Sequence, residues 1–309
     1  MLASVSIIFL FVAAGAQKPS YSAHTGGNPV LWEPVNIRNQ DLYYGPGGKE
    51  MEPDLSQITL IKEEFTGHSL KYRIRDGSGR KWVVKLGNEA QSETAAVRLL
   101  WALGYRTEIN YLVPRLVIPG KGVFYNARLE ARPDDVKRGD RWAWGKTPFE
   151  HTDQMQGLKL MMAFFYNWDM KQLNNVILKT DGEQQYVISD LGVAFGKSGP
   201  IKLPLFWRIG RTRNKPEDYA RTNFVKNVDR YRLQIAYVGK NAHQMHDFTI
   251  GNARWLADLL DQLSDRQIRD AFRAANYSQN NIDLLTRSVK NRIDELDRAS
   301  ETSKIARRK

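Results

Sequence analysis

Two short polar motifs on either side of a predicted β-hairpin constrain this chain more than any other feature of its sequence. The first motif, D-x-K-x-x-N, runs from Asp169 to Asn174 and follows a long apolar segment that predicts a helix. The second motif, D-L-G, begins at Asp190, directly after an apolar run that predicts a strand. A loop and a strand end are common positions for functional polar groups. The order of the motifs therefore predicts that both aspartates belong to one polar site.

A structural interpretation of the same residues stays open. Asp169 could cap a helix and Asp190 could simply end a strand, because polar residues at turns usually bond to the backbone. Each motif taken alone has little specificity. The two together, in this order and on these predicted elements, favour a functional site.

A second signal lies upstream, where Lys85 ends the apolar stretch that begins at Lys81. The following helix carries Glu89 and Glu93, and Glu93 lies on the stripe of residues that packs inward. A buried carboxylate needs a partner, and Lys85 is the natural candidate. Glu89, one turn earlier, is the alternative partner of Lys85. A structural interpretation is also open, in which Glu89 and Glu93 are solvated charges near the start of a helix, where the helix dipole favours them.

In this order, the residues resemble the catalytic loop, the D-F-G turn and the lysine–glutamate pair of protein kinases. The resemblance spans about residues 57–296 and is greatest to atypical kinases of the HipA-like, phosphatidylinositol-kinase-like and secretory-pathway types. The chain is also similar to exported bacterial proteins of unassigned function that have the pattern NWDxKxxNN followed by DLG. The resemblance implies ATP and Mg²⁺ as ligands. It assigns catalysis to Asp169 and Lys171, metal binding to Asn174 and Asp190, and nucleotide binding to Lys85, Glu93 and Gly67.

Three departures from the kinase pattern leave the nucleotide geometry and the acceptor class open. Gly67 stands alone where kinases have a G-x-G-x-x-G loop. Asn167 and Trp168 replace the histidine and arginine that precede the catalytic aspartate. The spacing from Lys85 to Glu93 is short for an ordinary protein kinase.

The order of predicted elements favours an α+β protein with a two-lobed protein-kinase-like fold. In the first half, predicted strands surround one helix, and helical periodicity dominates the second half. The helix of the first half is expected to begin at Asn88 as N-cap, with Gln91 completing a capping box. We expect a small antiparallel β lobe with one helix, followed by a larger, mostly helical lobe. The predicted boundaries are an irregular segment at 17–55, a nucleotide-binding lobe at 56–131, a catalytic lobe at 132–298 and a basic tail at 299–309.

The first sixteen residues predict a cleaved signal peptide. An apolar stretch from Val5 to Ala14 ends in the small-x-small sequence Ala14-Gly15-Ala16. The stretch is too short to cross a bilayer core of about 30 Å, so no transmembrane helix is expected. No lysine or arginine precedes it, which leaves an uncleaved anchor or a buried helix as alternatives. We expect export to the periplasm or secretion.

Charge and cysteine content limit the remaining functions. Lys and Arg number 46 against 34 Asp and Glu, a formal net charge of +12, which favours anionic partners such as a nucleotide or an anionic acceptor. The basic segment from Lys197 to Arg221 could dock such an acceptor or be an ordinary surface loop. No nucleic-acid motif accompanies the basic run at the C-terminus, so a nucleic-acid partner is not expected.

The chain has no cysteine, which excludes disulfides and thiol chemistry.

Two functions fit these observations. The first is an ATP- and Mg²⁺-dependent phosphotransferase of atypical kinase type, whose acceptor the sequence does not identify. The alternative is a catalytically inactive kinase-fold protein that binds a ligand or serves as a scaffold in the periplasm or outside the cell. Retention of Lys85, Asp169, Asn174 and Asp190 together favours the phosphotransferase, because a scaffold does not need that set.

Overall fold

A computed structural model describes residues 27–66, 69–196, 214–229 and 231–306 of the chain. Three predictions therefore concern residues outside the described ranges. They are the signal peptide at 1–16, the phosphate-loop role of Gly67, and most of the basic segment from Lys197 to Arg221.

The strands in chain order are β1 Asn28–Val30, β2 Thr59–Thr66, β3 Ser69–Arg75, β4 Lys81–Lys85, β5 Asn110–Ile118, β6 Gly122–Ala131, β7 Lys137–Arg138, β8 Asn175–Lys179, β9 Glu183–Ile188, β10 Val225–Asp229, β11 Arg232–Ile235 and β12 Phe248–Thr249. The α-helices are α1 Glu89–Ala102, α2 Asp153–Phe164, α3 Pro216–Ala220, α4 Ile250–Leu260, α5 Asp265–Ala274 and α6 Gln279–Ala306.

The small lobe is a five-stranded antiparallel sheet in the order β2-β3-β4-β6-β5. The tight turn between β3 and β4 is organised by Asp76, which is buried. Its Oδ1 accepts hydrogen bonds from Ser78 Oγ at 2.7 Å and from the Arg80 backbone N–H at 2.9 Å. Gly79 supplies the left-handed backbone conformation, φ +84°, that closes this turn. This turn fixes the register that carries Lys85 to the end of β4.

Helix α1 packs against β5 and β6 on one side and against α5 of the large lobe on another. The capping box predicted at its start is wrong, because the Asn88 side chain makes no capping hydrogen bond. Gln91 Nε2 instead donates to the backbone carbonyls of Ala275 and Asn276, at 3.0 and 2.9 Å. The Gln91 side chain thus bonds to a distant segment of the chain instead of to the Asn88 backbone, and this contact attaches the start of α1 to the large lobe.

The segment before β2 is more ordered than its composition suggests. Strand β1 pairs in parallel with β9, and two short 3₁₀ turns follow at Ile37–Asn39 and Gly45–Gly47. Leu31, Ile37 and Leu42 are buried in the main core. These apolar side chains anchor a stretch in which Gly, Pro and Asn obscure any periodic pattern.

The large lobe places the β8–β9 hairpin beside a group of helices. Helices α2, α4, α5 and α6 bury their apolar faces in one core, and α4 packs on both α2 and α6. Capping boxes begin α4 at Thr249 with Asn252, and α5 at Ser264 with Gln267. The hairpin packs on this core through Ile177, Tyr186 and Ile188, and the D-L-G turn that follows it contacts the small lobe through Asp190.

This arrangement confirms the predicted α+β class, with a small antiparallel β lobe that carries one helix and a larger, mostly helical lobe. Helix α6 continues to Ala306, through most of the stretch expected to be a basic tail from residue 299. Within the described ranges, no helix is both long and apolar enough to span a membrane.

Candidate functional site

Lys85 lies at the centre of a cluster of carboxylates between the lobes. Its Nζ is 3.0 Å from Glu93 Oε2 and 3.1 Å from Glu89 Oε2, both on α1. It is also 2.9 Å from Oδ1 of Asp190, which follows β9 in the large lobe. The choice between Glu89 and Glu93 as its partner is thus resolved in favour of both. Lys85 links the sheet, the helix and the D-L-G turn.

The charges of this cluster stabilise one another. Although burial acts to lower the pKa of Lys85, the carboxylates of Asp190, Glu93 and Glu89 raise it above the usual range of lysine. Burial acts to raise the pKa of Asp190, but the nearby Lys85 ammonium and a hydrogen bond from the Gly192 N–H lower it to about 2. At neutral pH the site therefore holds a charged lysine and an ionised aspartate.

Arg128 is a member of the cluster that the sequence analysis missed. It lies opposite Lys85 in the register between β4 and β6, and its side chain is buried. Its Nε is 3.2 Å from Glu93 Oε2, and its Nη2 donates to Glu130 Oε2 at 2.8 Å. Burial raises the pKa of Glu93, while Arg128 and Lys85 oppose that change. Glu93 thus has two cationic partners, Lys85 and Arg128. The only sequence signal for Arg128 was the alternation of charged residues in β6, Arg128 and Glu130.

The D-L-G turn fits closely against helix α1. A Cβ atom on Gly192 would lie 2.6 Å from Glu89 Cβ, closer than side-chain carbons approach in proteins. Ser92 Oγ donates a hydrogen bond of 2.5 Å to the Gly192 carbonyl oxygen. A glycine at position 192 is therefore needed for the D-L-G turn to lie against α1, and the Ser92 hydrogen bond holds the two at this distance.

The D-x-K-x-x-N loop forms the second half of the site. Asp169 is 7% exposed, and Lys171 Nζ lies 2.6 Å from its Oδ2. Asn174 Nδ2 donates to the Asp169 backbone carbonyl at 2.8 Å, so the amide oxygen is the part of Asn174 left to face a ligand. Lys240, which no motif predicted, places its Nζ 2.8 Å from Asp169 Oδ1.

The two halves lie within electrostatic range of each other. Burial acts to lower the pKa of Lys171, but its hydrogen bond to Asp169 raises it, with a smaller contribution from the charge of Asp190. The structure brings Lys85 into direct contact with both Glu93 and Asp190, and it groups Lys171 and Asn174 around Asp169. Gly67 lies outside the described residues.

The donor set suits Mg²⁺ held together with phosphate. Magnesium prefers hard oxygen ligands, and in nucleotide sites it uses one or two protein groups together with phosphate oxygens and water. The ionised carboxylate of Asp190 and the amide oxygen of Asn174 are ligands of this kind. In the described part of the chain, no group of three or more His, Asp or Glu residues is arranged to hold a metal without such help.

No protein-family model and no curated protein matches this chain. Among solved structures, the chain is similar to the Helicobacter pylori proinflammatory kinase CtkA, with a TM-score of 0.49 and 12% sequence identity. The similarity covers 81% of this chain and 98% of that chain. Similarity at this level transfers neither an activity nor a ligand from that kinase to this chain.

Proposed function

We propose that this protein is an ATP- and Mg²⁺-dependent phosphotransferase of atypical kinase type. The observation that carries the proposal is the contact of one buried lysine, Lys85, with Glu93 of the small lobe and Asp190 of the large lobe. Kinase catalysis requires a lysine–glutamate pair beside the metal-binding aspartate of the D-x-G turn, and these contacts bring the three groups together. The neighbouring group of Asp169, Lys171 and Asn174 supplies the other polar residues that such a site needs.

The residues divide the work of phosphoryl transfer between them. Lys85 binds phosphate oxygens of the nucleotide, and Glu93 holds Lys85 in position. Asp190 and Asn174 would hold Mg²⁺, which would supply positive charge against the phosphates. Asp169 accepts a hydrogen bond from the acceptor hydroxyl and orients its oxygen toward the γ-phosphorus.

In the transfer step, the acceptor oxygen forms a bond to the γ-phosphorus while the bond from that phosphorus to the ADP oxygen breaks. The proton of the acceptor hydroxyl passes to an Asp169 carboxylate oxygen and from there to solvent. Lys171 offsets negative charge on the transferred group. The products are ADP and the phosphorylated acceptor.

A kinase-fold protein that binds a ligand or acts as a scaffold, without turnover, is the second candidate. The direct contact of Asp190 with Lys85 favours it, because the carboxylate that would bind Mg²⁺ already has a partner. Export through the N-terminal segment also favours it, since the periplasm and the exterior hold little ATP. We propose such export on the basis of Val5 to Ala16, and mass spectrometry of the native protein should then find a chain that begins near Gln17.

Nucleotide binding and phosphate transfer, measured on the same preparation, distinguish the two candidates. Binding of ATP to the purified chain is measured with and without Mg²⁺, and transfer is followed with γ-labelled ATP and a broad panel of acceptors. A phosphotransferase binds ATP more tightly with Mg²⁺ and labels an acceptor. Tight Mg²⁺-dependent binding without transfer supports the binding protein, and the absence of nucleotide binding contradicts the proposed phosphotransferase.

A further inference from the structure

A loop from a distant part of the chain is attached to the backbone of the D-x-K-x-x-N loop. We call the residues from Tyr237 to Asn241 the clamp loop. The Lys240 backbone N–H donates to the Trp168 carbonyl at 2.8 Å, and Tyr237 Oη donates to the Asn167 carbonyl at 3.0 Å. Asn241 Nδ2 donates to the Met170 carbonyl. Three donors of the clamp loop thus hold it to the backbone of residues 167–170.

Gly239 makes this attachment possible. A Cβ atom at residue 239 would lie 2.5 Å from the Trp168 carbonyl oxygen and 2.7 Å from Trp168 Cα. Since both atoms belong to the backbone, they could not move aside for a side chain. The clamp loop therefore lies too close to the Trp168 backbone for any residue but glycine at position 239, and this contact positions Lys240 relative to Asp169.

Lys240 is the second of two cationic neighbours of Asp169. Lys171 Nζ lies 2.6 Å from one carboxylate oxygen of Asp169, and Lys240 Nζ lies 2.8 Å from the other. The three side chains carry two positive charges and one negative charge. The Lys171 and Lys240 side chains are 39% and 51% exposed, so their ammonium groups can also contact a ligand.

The Asp169 oxygen beside Lys240 is a carboxylate oxygen, which can accept more than one hydrogen bond. Asp169 Oδ1 is buried and receives no hydrogen bond from the described residues, although Lys240 Nζ is close enough for an ion pair. A hydroxyl that donates to Oδ1 would therefore lie beside an exposed ammonium group. Any anionic group attached near that hydroxyl would meet the surplus positive charge of the two lysines.

We propose that Lys240 is a specificity-determining residue that selects an acceptor with a phosphate or a carboxylate next to the hydroxyl to be phosphorylated. The inference rests on the proposed phosphotransferase function and adds the chemical class of its acceptor. Charge-assisted hydrogen bonds to ammonium groups are the interactions that distinguish such an acceptor from a neutral one.

The test uses three probes that share one carbon skeleton: glycerol, glycerate and glycerol 3-phosphate. Their binding to the full chain is measured by calorimetry in the presence of Mg²⁺ and a non-hydrolysable ATP analogue, and their phosphorylation by ATP is measured separately. The wild type should bind at least one anionic probe about tenfold or more tightly than glycerol. The two anionic probes show whether phosphate or carboxylate is preferred.

Three variants assign that preference. Lys240→Met should abolish it, and Lys240→Arg should retain most of it, because the backbone N–H of residue 240 holds the clamp loop in both. The control is Lys226→Met, which removes an exposed lysine of β10 and should change nothing. Thermal unfolding confirms that each variant is folded.

The outcomes separate this inference from the proposed function. No preference for an anionic probe, or a preference that survives Lys240→Met, overturns the inference even if transfer occurs. A preference that requires Lys240, without transfer from ATP to any acceptor, supports the anion site and contradicts only the phosphotransferase. Tighter binding of the anionic probes by Lys240→Met would mean that Lys240 blocks the site, and this also overturns the inference.

Discussion

Lys85 Nζ and Asp190 Oδ1 lie 2.9 Å apart and connect the sheet of the small lobe with the D-L-G turn of the large lobe. Because Lys85 also contacts Glu93, this one side chain sets the position of α1 relative to both lobes. The relationship joins stability to function, since the contacts that hold the lobes together involve the groups proposed to bind phosphate and metal.

Replacement of Lys85 by methionine should destabilise the protein strongly. The change leaves the buried Glu93 with one cationic partner fewer, and Asp190 and Glu89 lose theirs. Breaking a buried ion pair from one side costs about 3–5 kcal/mol. Urea unfolding measures the loss. Lys81→Met on the same strand is the control, because Lys81 pairs with the exposed Asp134, and such surface pairs contribute little to stability. Equal effects of the two changes would contradict the account.

Arg128→Met should also destabilise the protein, by about 3–5 kcal/mol, because Glu93 and Glu130 both lose a buried partner. Arg128→Lys should recover only part of this loss. A guanidinium group can bond to two carboxylates at once, whereas an ammonium group on a shorter stem acts as a single point charge. Unfolding free energies of the three proteins measure the difference. Full recovery by lysine would mean that charge alone matters at this position.

The stability of the wild type should depend on Asp190 in acid. Its folded-state pKa of about 2 lies below the value of about 3.9 for an unfolded aspartate. The stabilisation is therefore fully present above about pH 4 and is lost as the pH falls toward 2. Because the Asp190 side chain is 40% exposed, solvent screening limits its size.

A comparison of wild type with Asp190→Asn isolates this contribution. Glu93, whose pKa is raised by burial, contributes with the opposite sign but is present in both proteins. The difference in melting temperature between them should shrink from pH 5 to pH 2. A difference that stays constant over this range would mean that Asp190 has no depressed pKa.

The Gly192→Ala variant should lose nucleotide binding and stability together. The new Cβ would lie 2.6 Å from Glu89 Cβ, so α1 and the D-L-G turn must separate, which displaces Asp190 from Lys85. Gly251→Ala is the control, because the nearest atom to its added Cβ, Thr249 Oγ1, is at an ordinary 3.4 Å. Inside α4, that change should leave stability equal or higher by about 0.5–1 kcal/mol. Unaltered nucleotide affinity in Gly192→Ala would contradict the proposed close contact.

The sequence was sufficient for the residues whose spacing follows from one element or one motif. Lys85 at a strand end and Glu93 on the inward stripe of α1 were placed correctly, because strand alternation and helical periodicity determine which way a side chain faces. The kinase resemblance assigned nucleotide binding to Lys85 and metal binding to Asp190, and these two side chains are in direct contact.

The remaining site residues depend on contacts between distant segments, which no local pattern encodes. Lys240 reaches Asp169 only because Gly239 allows the clamp loop to touch the Trp168 backbone. Arg128 could be recognised only once the register of β4 and β6 was known. The predicted cap at Asn88 failed for the same reason, since Gln91 found partners in a segment far along the chain.

The central claim is that Asp190 binds the metal of a nucleotide complex while Asp169 acts on the acceptor. The direct test is the affinity for ATP, with and without Mg²⁺, of Asp190→Ala and Asp169→Ala, with the exposed Asp181→Ala as a matched control. Asp190→Ala should abolish the increase in affinity that Mg²⁺ causes. Asp169→Ala should keep ATP affinity within about threefold of wild type, because its contribution is made in the transition state. Equal loss of affinity in both variants, with the fold intact by circular dichroism, would contradict this division, as would a wild type whose ATP affinity does not respond to Mg²⁺.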